Sequence, residues 1–284
     1  MEILTIVLSS LLSLGSSGGL ILDKIAQGRL RSQVIGVEQQ AVRIDNRPNY
    51  QAVQGKLDRV RIANRGVKIK PGLRIDLVDV ETDQVALKLA ELDFNSIDGL
   101  RKSLEKPASG AVRLILTETD LNQALQSPEV VTQLQANLNR LIARKAGSTN
   151  ISYQLSDLHL ELRPANRLQV KFKLNRPRPT ANMEPNRTAG TSSINNRSRE
   201  LDIALELAFQ VINGTALRLI DPQGTVNNRP MSSRLLKGFA EGISDRLDLN
   251  SLSADGIITR ILQLEIDEDK LELISFIRLE TKTQ

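Results

Sequence analysis

The feature that most constrains the fold of this chain is a strict alternation of apolar and polar residues. From Leu168 to Leu174 apolar residues occupy every second position, and the same pattern extends from Leu201 to Val211. A period of two is required of a β-strand that has one buried and one solvated face. Shorter alternating runs occur at Val60/Ile62, Leu73/Ile75/Leu77, Val85/Leu87/Leu89, Val112/Leu114/Leu116 and Leu158/Leu160/Leu162. With a closing hairpin predicted over 262–279, the chain is expected to form mainly antiparallel strands.

Helical spacing interrupts the strands at a few places. Apolar residues that follow Pro128 predict an amphipathic helix that includes Leu134 and Leu138, because proline is favoured at the start of a helix. A shorter helix before it is predicted to be capped by Thr119–Asp120, and a third is predicted within Met231–Leu247. Helices are therefore expected to be the minority.

The segment 175–198 contains three prolines and almost no apolar residues, which predicts a long mobile loop between two strands. Because the strands on both sides of this loop have the pattern of neighbours in one sheet, we expect a single domain over residues 19–284. The expected fold class is α+β, with one long curved antiparallel sheet wrapped around amphipathic helices as a half-barrel.

Two interpretations of the apolar segment 1–18 remain open. Ile3–Leu14 is shorter than the roughly twenty residues that cross a bilayer, and its length fits the core of a signal peptide, but no Lys or Arg precedes it. The alternative is a membrane-associated helix or a helix that docks on the fold. The same region matches the G-x-S-x-G motif of hydrolases, with Ser17 as the nucleophile. Almost nothing precedes Ser17, whereas those enzymes build the oxyanion hole partly from an earlier strand–helix loop, so hydrolysis is not expected.

The amino-acid inventory excludes much of enzyme and cofactor chemistry. The chain has no Cys, no Trp and one His, which rules out disulfides, zinc fingers, iron–sulfur clusters and thiol nucleophiles. The acidic stretch 265–269 lacks the spacing of a calcium loop and is predicted to form a solvated turn. We accordingly expect no enzyme activity, no cofactor and no metal site.

Positive charge is concentrated in two stretches. Residues 29–74 hold eleven basic and three acidic residues, and residues 163–199 hold nine basic residues and one acidic residue. Both nucleic acid and anionic lipid surfaces are phosphate arrays that attract such stretches. The same residues could equally be the solvated faces of strands. The candidates for docking on headgroups are Arg43, Arg59, Arg61, Arg65 and Lys68.

The scarcity of aromatic residues favours an anionic lipid surface over nucleic acid as the partner. Single-strand and RNA binders stack bases on aromatic side chains, and five Phe and two Tyr spread over the chain do not supply such a platform. An anionic membrane surface is therefore the expected partner, and no nucleic acid is expected. A basic nucleic-acid-binding module remains the alternative.

The predicted strands present more aliphatic surface than the predicted helices can cover. An antiparallel sheet that curls around a helix leaves an apolar groove, and acyl chains match its chemistry. The alternative is a structural protein with a dry core. The candidate lining residues are Val60, Ile62, Ile75, Leu77, Leu114, Leu134, Leu138, Val170, Phe172, Leu205, Leu207 and Phe209.

Several segments resemble the bacterial LmeA-like phospholipid-binding family: 30–33, 42–46 with 48–50, 55–62, 73–76 and 116–122. The likeness covers most of the chain, from about Gly19 to Leu279. It implies a tubular lipid-binding fold, a phospholipid or other acyl-chain ligand, and no catalytic residues. It also implies lipid transfer or envelope maintenance by a protein that is peripherally associated with membrane in the cell envelope or periplasm. A cytoplasmic location remains the alternative.

Overall fold

A computed structural model describes residues 36–70, 72–93, 96–146, 153–176, 200–245 and 247–282. The predicted N-terminal segment 1–18 lies outside these ranges. So does the predicted loop 175–198, apart from its first two residues.

The described residues form thirteen β-strands and four α-helices. The strands are β1 (Gly36–Asp45), β2 (Lys56–Leu57), β3 (Arg59–Lys70), β4 (Leu73–Thr82), β5 (Val85–Ala86), β6 (Ala108–Thr117), β7 (Gln154–Arg163), β8 (Arg167–Asn175), β9 (Glu200–Ile212), β10 (Ala216–Val226), β11 (Arg229–Pro230), β12 (Ile257–Ile266) and β13 (Lys270–Leu279). The helices are α1 (Ile97–Ser103), α2 (Glu118–Leu125), α3 (Pro128–Ala146) and α4 (Ser233–Ser244), with 3-10 helices at Asn49–Gln54, Leu89–Glu91 and Leu249–Asp255.

The strands form two main sheets, and every strand pair in them is antiparallel. One sheet has six strands in the order β1-β3-β4-β6-β13-β12, and the other has five in the order β11-β10-β9-β8-β7. A two-stranded pair, β2-β5, accompanies them. The α+β class with antiparallel pairing is confirmed. The prediction of one long sheet is wrong, because α2 and α3 follow β6 and their side chains occupy the free edge of β7.

Side chains of α2 satisfy the outer edge of β7 in place of another strand. The Asn122 amide accepts from the Leu160 N–H and donates to the Leu160 carbonyl, both at 2.8 Å. The Glu118 carboxylate accepts from the Leu162 N–H at 2.8 Å. Further along, Gln135 of α3 accepts from the Leu155 N–H at 2.7 Å. These bonds end the sheet at β7, because the backbone N–H and C=O groups that they occupy are no longer available to pair with a further strand.

The helix α2 is itself anchored at its first turn. Thr117 is its N-cap, and the Thr117 hydroxyl accepts from the Asp120 N–H at 3.1 Å. The cap is thus two residues earlier than the predicted Thr119–Asp120. The Asp120 side chain is buried and receives a hydrogen bond from Arg74 of β4 at 2.9 Å, which fixes α2 to the six-stranded sheet.

A shared apolar cluster and two backbone contacts join the two sheets. Ile266 of β12 is buried against Leu162 and Leu207 of the five-stranded sheet and against Ala240 of α4. The Ile266 N–H also donates to the Asn166 side chain at 2.8 Å, and the Ile261 N–H to the Gly214 carbonyl at 2.6 Å. The turns of the five-stranded sheet therefore hold the outer edge of β12. A second cluster, which includes Leu100, Leu104 and Val112, lies under α1.

Several predicted elements differ from the observed ones for identifiable reasons. The run Val85–Leu89 gives only a two-residue strand and the start of a 3-10 helix. Asn175, the first residue of the predicted loop 175–198, still belongs to β8, where it pairs with Gln154 and Glu200. In the predicted hairpin, Leu262 has the parity of Leu264 and Ile266 but is 62% exposed, because a β-bulge between Ile261 and Gln263 turns it outward.

We predict that Asn122→Ala lowers the free energy of unfolding by about 1–3 kcal/mol, because it leaves the N–H and the carbonyl of Leu160 without partners. Chemical denaturation measures the effect. Gln123→Ala, at an exposed position of the same helix, is the matched control and is expected to change stability by less than about 0.5 kcal/mol. Equal losses in the two variants would contradict the role assigned to Asn122.

Candidate functional site

Four of the five predicted docking residues lie on one face of the six-stranded sheet. Arg43 of β1 stands directly opposite Arg61 of β3, and Arg59 and Arg65 have the same parity along β3. Lys68 lies further along β3, beyond the left-handed Gly66, where it forms an ion pair with Glu38 at 3.7 Å. The structure therefore brings the arginines together and separates the lysine from them. We call the surface formed by Arg43, Arg59, Arg61, Arg65 and Arg113 the arginine face.

Three guanidinium groups of the arginine face share two carboxylates. Asp45 lies 2.7 Å from Arg43 and 3.5 Å from Arg61, and Glu81 lies 3.3 Å from Arg59 and 3.4 Å from Arg61. The hydrogen bond from Arg43, with the charges of Arg61 and Arg59, lowers the pKa of Asp45. With three guanidinium groups on two carboxylates, this group keeps one excess positive charge.

The remaining two arginines have one carboxylate each. Arg65 contacts Asp79 at 2.7 Å, and Arg113 contacts Glu272 of β13 at 2.7 Å. The Glu272 side chain is only 9% exposed and also lies 3.3 Å from Lys270. The hydrogen bond from Arg113 is the largest cause that lowers the pKa of Glu272, with Lys270 acting in the same direction against desolvation.

A shallow depression of about 380 Å³ lies on the arginine face. Ala41 and Ala63 are opposed on neighbouring strands and Ala111 faces Glu81, so short side chains line the depression where longer ones would fill it. Its charged lining residues are Arg43, Arg61, Arg113, Asp79 and Glu81. Guanidinium groups bind phosphate oxygens through paired N–H donors, and carboxylates accept from amines, so the depression suits a small group that carries a phosphate.

The candidate lining residues of the six-stranded sheet lie on both of its faces. Val60, Ile62 and Leu114 share the face opposite the arginines, and Ile62 is buried there. Ile75 packs in the same buried cluster as Ile62, whereas Leu77, also buried, is the register partner of Arg65. The cause is that β4 carries apolar residues at both parities, with Val78 and Val80 on the side of Ile62.

The other candidate lining residues lie on the five-stranded sheet and on α3. Val170 pairs with Leu205 and Phe172 with Ile203, so their side chains share one face with Leu207 and Phe209. Leu205 and Leu207 are buried, and Val170 and Phe209 pack against the cluster that includes Ala240 of α4. Leu134 and Leu138 are half-buried on α3. The twelve candidates are thus divided among two sheets and one helix.

Sequence reasoning missed the residues that complete the arginine face. The alanines that line the depression, the carboxylates Asp79 and Glu81, and the pair Arg113–Glu272 were not among the candidates. Their parity with Arg43 and Arg61 is a usable signal only once the pairing of β1, β3, β4 and β6 is known, because cross-strand neighbours are distant in sequence.

Two features that the described ranges lack bear on other functions. These ranges contain no group of three or more His, Cys, Asp or Glu side chains arranged to hold a metal ion. Within them, no helix has the length and apolar content needed to cross a bilayer. His159 is exposed on β7, and Ser17 of the hydrolase-like motif lies outside the described residues.

Comparison with known proteins gave one match. A family model described as LmeA-like phospholipid-binding matches residues 16–275. No curated protein and no solved structure matches this chain. The match spans both main sheets and the arginine face.

We predict that the stability contributed by Glu272 is lost in acid. Its folded pKa lies below the ordinary value of 4.5, so the contribution is complete above that pH and disappears as the pH falls through the lowered folded value. The difference in unfolding free energy between the wild type and Glu272→Gln should be constant from neutral pH to about pH 5 and shrink below it. Glu265→Gln, on the neighbouring strand and without an arginine partner in the described residues, controls for charge loss. A difference that stays constant in acid would contradict the assignment.

Proposed function

The chain belongs to the LmeA-like phospholipid-binding family, and we propose that it holds the acyl chains of a phospholipid in an apolar groove while its arginine face meets an anionic membrane. The observation that carries this proposal is the match of the family model over residues 16–275. Membership implies lipid binding, and the groove, the docking surface and the transfer role are our additions.

The proposed groove is bounded by the apolar faces of the two sheets and by α3, in a tubular arrangement. Support comes from partly exposed aliphatic and aromatic side chains on these faces, among them Val60, Phe172 and Ile203. Aliphatic walls accept chains of varied length, because each buried methylene contributes about 0.8 kcal/mol without a directional requirement. The proposed lining is Val60, Ile62, Ile75, Leu77, Leu114, Leu134, Leu138, Val170, Phe172, Leu205, Leu207 and Phe209.

The proposed headgroup contacts are the arginines of the arginine face, together with Lys68 further along β3. The excess positive charge around Asp45 and Glu81 attracts an anionic surface at long range. At contact, a phosphate replaces a carboxylate as the partner of a guanidinium, so little bare charge is exposed during the exchange. The Arg43 side chain is 71% exposed, the most of the five arginines, so within the arginine face it is the best placed to reach a phosphate.

We further propose a single lipid-binding domain over residues 19–284 that acts without catalysis, in lipid transfer or envelope maintenance. Its proposed location is the cell envelope or periplasm, as a peripheral membrane protein. We propose no nucleic-acid partner, because the arginine face has no aromatic side chain among its arginines and alanines.

We predict that protein purified from cells carries phospholipid, which mass spectrometry of an organic extract detects. Protein stripped of lipid should take phospholipid from vesicles, and the charge of the headgroups recovered identifies the preferred class. Purified protein that contains no lipid and takes none from vesicles would contradict the proposed function.

We predict that the triple variant Arg43→Gln, Arg59→Gln, Arg61→Gln binds anionic vesicles about tenfold more weakly, since each cation near an anionic surface contributes about 1 kcal/mol before its existing ion pairs are counted. Cosedimentation over a range of salt concentrations measures the loss. The matched control is Arg163→Gln, Arg167→Gln, which removes two arginines that share Glu206 on the five-stranded sheet. Equal losses in both variants would show that net charge, and not the arginine face, governs binding.

A further inference from the structure

Exposed apolar side chains gather at one end of the six-stranded sheet, on the loop that follows β1. Tyr50 is 65% exposed and Val53 is 64% exposed, and both lie on the 3-10 helix Asn49–Gln54. A 3-10 helix has three residues per turn, so these two side chains project from the same side. Leu89, 45% exposed, lies against Gly55 at the end of this helix. We call this group, with Arg47 and Lys56, the tip.

The tip is held in place by hydrogen bonds, so its exposed apolar residues belong to a fixed surface. The Asn46 side chain donates to the Lys56 carbonyl at 2.7 Å and accepts from the Asp58 N–H at 2.8 Å. The Arg47 N–H donates to the Asp58 carboxylate at 2.8 Å. Gly55 ends the helix in the left-handed region, at φ 79°, and its carbonyl accepts from the Leu87 N–H at 2.8 Å. Rigid presentation lowers the entropy lost when such a surface meets a partner.

The cations of the tip differ from those of the arginine face. Arg47 and Lys56 are exposed, and in the described part of the chain neither forms an ion pair. By contrast, all five arginines of the arginine face already have carboxylate partners. An unpaired exposed cation can contact an anion without first breaking an ion pair, so first contact at the tip costs less free energy than first contact at the arginine face.

Single exposed apolar residues are normal on protein surfaces, but an aromatic and two aliphatic side chains flanked by free cations mark an interaction site. Tyrosine is favoured at the headgroup level of bilayers, where its ring is buried and its hydroxyl stays in water. Basic residues beside it add attraction to anionic lipids. The composition of the tip is thus that of a membrane contact.

We infer that the tip inserts into the interfacial layer of an anionic phospholipid bilayer, with Tyr50, Val53 and Leu89 among the headgroups and Arg47 and Lys56 on phosphates. This inference rests on the proposed function, since it names the membrane contact of a lipid-binding protein. The paired arginines Arg43 and Arg59 lie where β1 and β3 meet the tip loop, so the arginine face extends from the inserted end.

The chain has no Trp, so a single tryptophan placed at the tip reports its environment. We expect Tyr50→Trp emission to shift to shorter wavelength when vesicles of phosphatidylcholine with phosphatidylglycerol are added, and to shift less with phosphatidylcholine alone. The matched control is Leu235→Trp, at a 43% exposed position on α4, which should not shift. A missing shift at Tyr50→Trp in protein that binds the vesicles, or equal shifts at both positions, would overturn the inference.

A second set of variants tests the energetic role of the tip. Tyr50→Ser, Val53→Ser should weaken vesicle binding about tenfold, and Arg47→Gln, Lys56→Gln should remove much of its salt dependence. Leu235→Ser is the control and should bind as the wild type does. Thermal unfolding should be unchanged in all of them, because the substituted side chains are exposed. Wild-type vesicle binding by the tip variants would overturn the inference.

Two further outcomes are distinguishable. Tip variants that bind vesicles normally and still carry extracted lipid would defeat the inference alone, whereas wild-type protein without lipid would defeat the proposed function. Concentration-dependent dimerisation that Tyr50→Ser, Val53→Ser abolishes would assign the tip to contacts between copies of the chain and overturn its membrane role.

Discussion

The architecture depends on a helix that ends a sheet. Asn122 and Glu118 of α2 offer side-chain oxygens and an amide to the backbone of β7, where a further strand would otherwise pair. The same helix is tied to β4 through the buried Asp120 and Arg74. One short helix therefore separates two antiparallel sheets and also holds them near each other. Each sheet then has a charged face with ion-paired side chains and a face rich in aliphatic residues.

The charged face of the six-stranded sheet combines charge excess with space. Three arginines around Asp45 and Glu81 leave one positive charge uncompensated, and alanines on three strands leave room for a group of modest size. On the five-stranded sheet, by contrast, the ion-paired cations and carboxylates balance, four against four: Arg163, Arg167, Lys171 and Lys173 with Asp157, Glu161, Glu200 and Glu206. An excess of cations over carboxylates, and not arginine content alone, therefore distinguishes the proposed docking surface.

Period-two alternation was sufficient to predict β8, β9, the closing hairpin and the antiparallel pairing. The concentration of basic residues in 29–74 singled out Arg43, Arg59, Arg61 and Arg65, and the pairing of β1 with β3 places them on one face. The alternation failed where local geometry breaks the period. In β10 a left-handed Asp221 and a bulge before Gln223 interrupt the alternation, so this strand was not foreseen. β1 was missed because its apolar residues change parity between Val37 and Val42.

The division into two sheets could not be predicted, because nothing in the sequence of α2 indicates that Asn122 meets Leu160 across 38 residues. Side-chain caps on sheet edges are tertiary contacts, and they appear only when the helix is placed. The exposure of Leu262 could not be predicted either, because it results from a β-bulge that appears only when β12 pairs with β13. The tip was overlooked because its apolar residues occur in a segment without a clear period.

The attachment of β12 to the turns of the five-stranded sheet has a mechanical consequence. Asn166 and Gly214, both in the left-handed conformation in turns, accept hydrogen bonds from β12 at one edge of the six-stranded sheet. Ile266 of β12 is buried at this junction. Within the described ranges no backbone bond ties β1, at the far edge, to the other sheet. The six-stranded sheet is therefore fixed to the other sheet at its β12 edge and, through α2, at β4, and it is held least at the β1 edge, where the tip also lies.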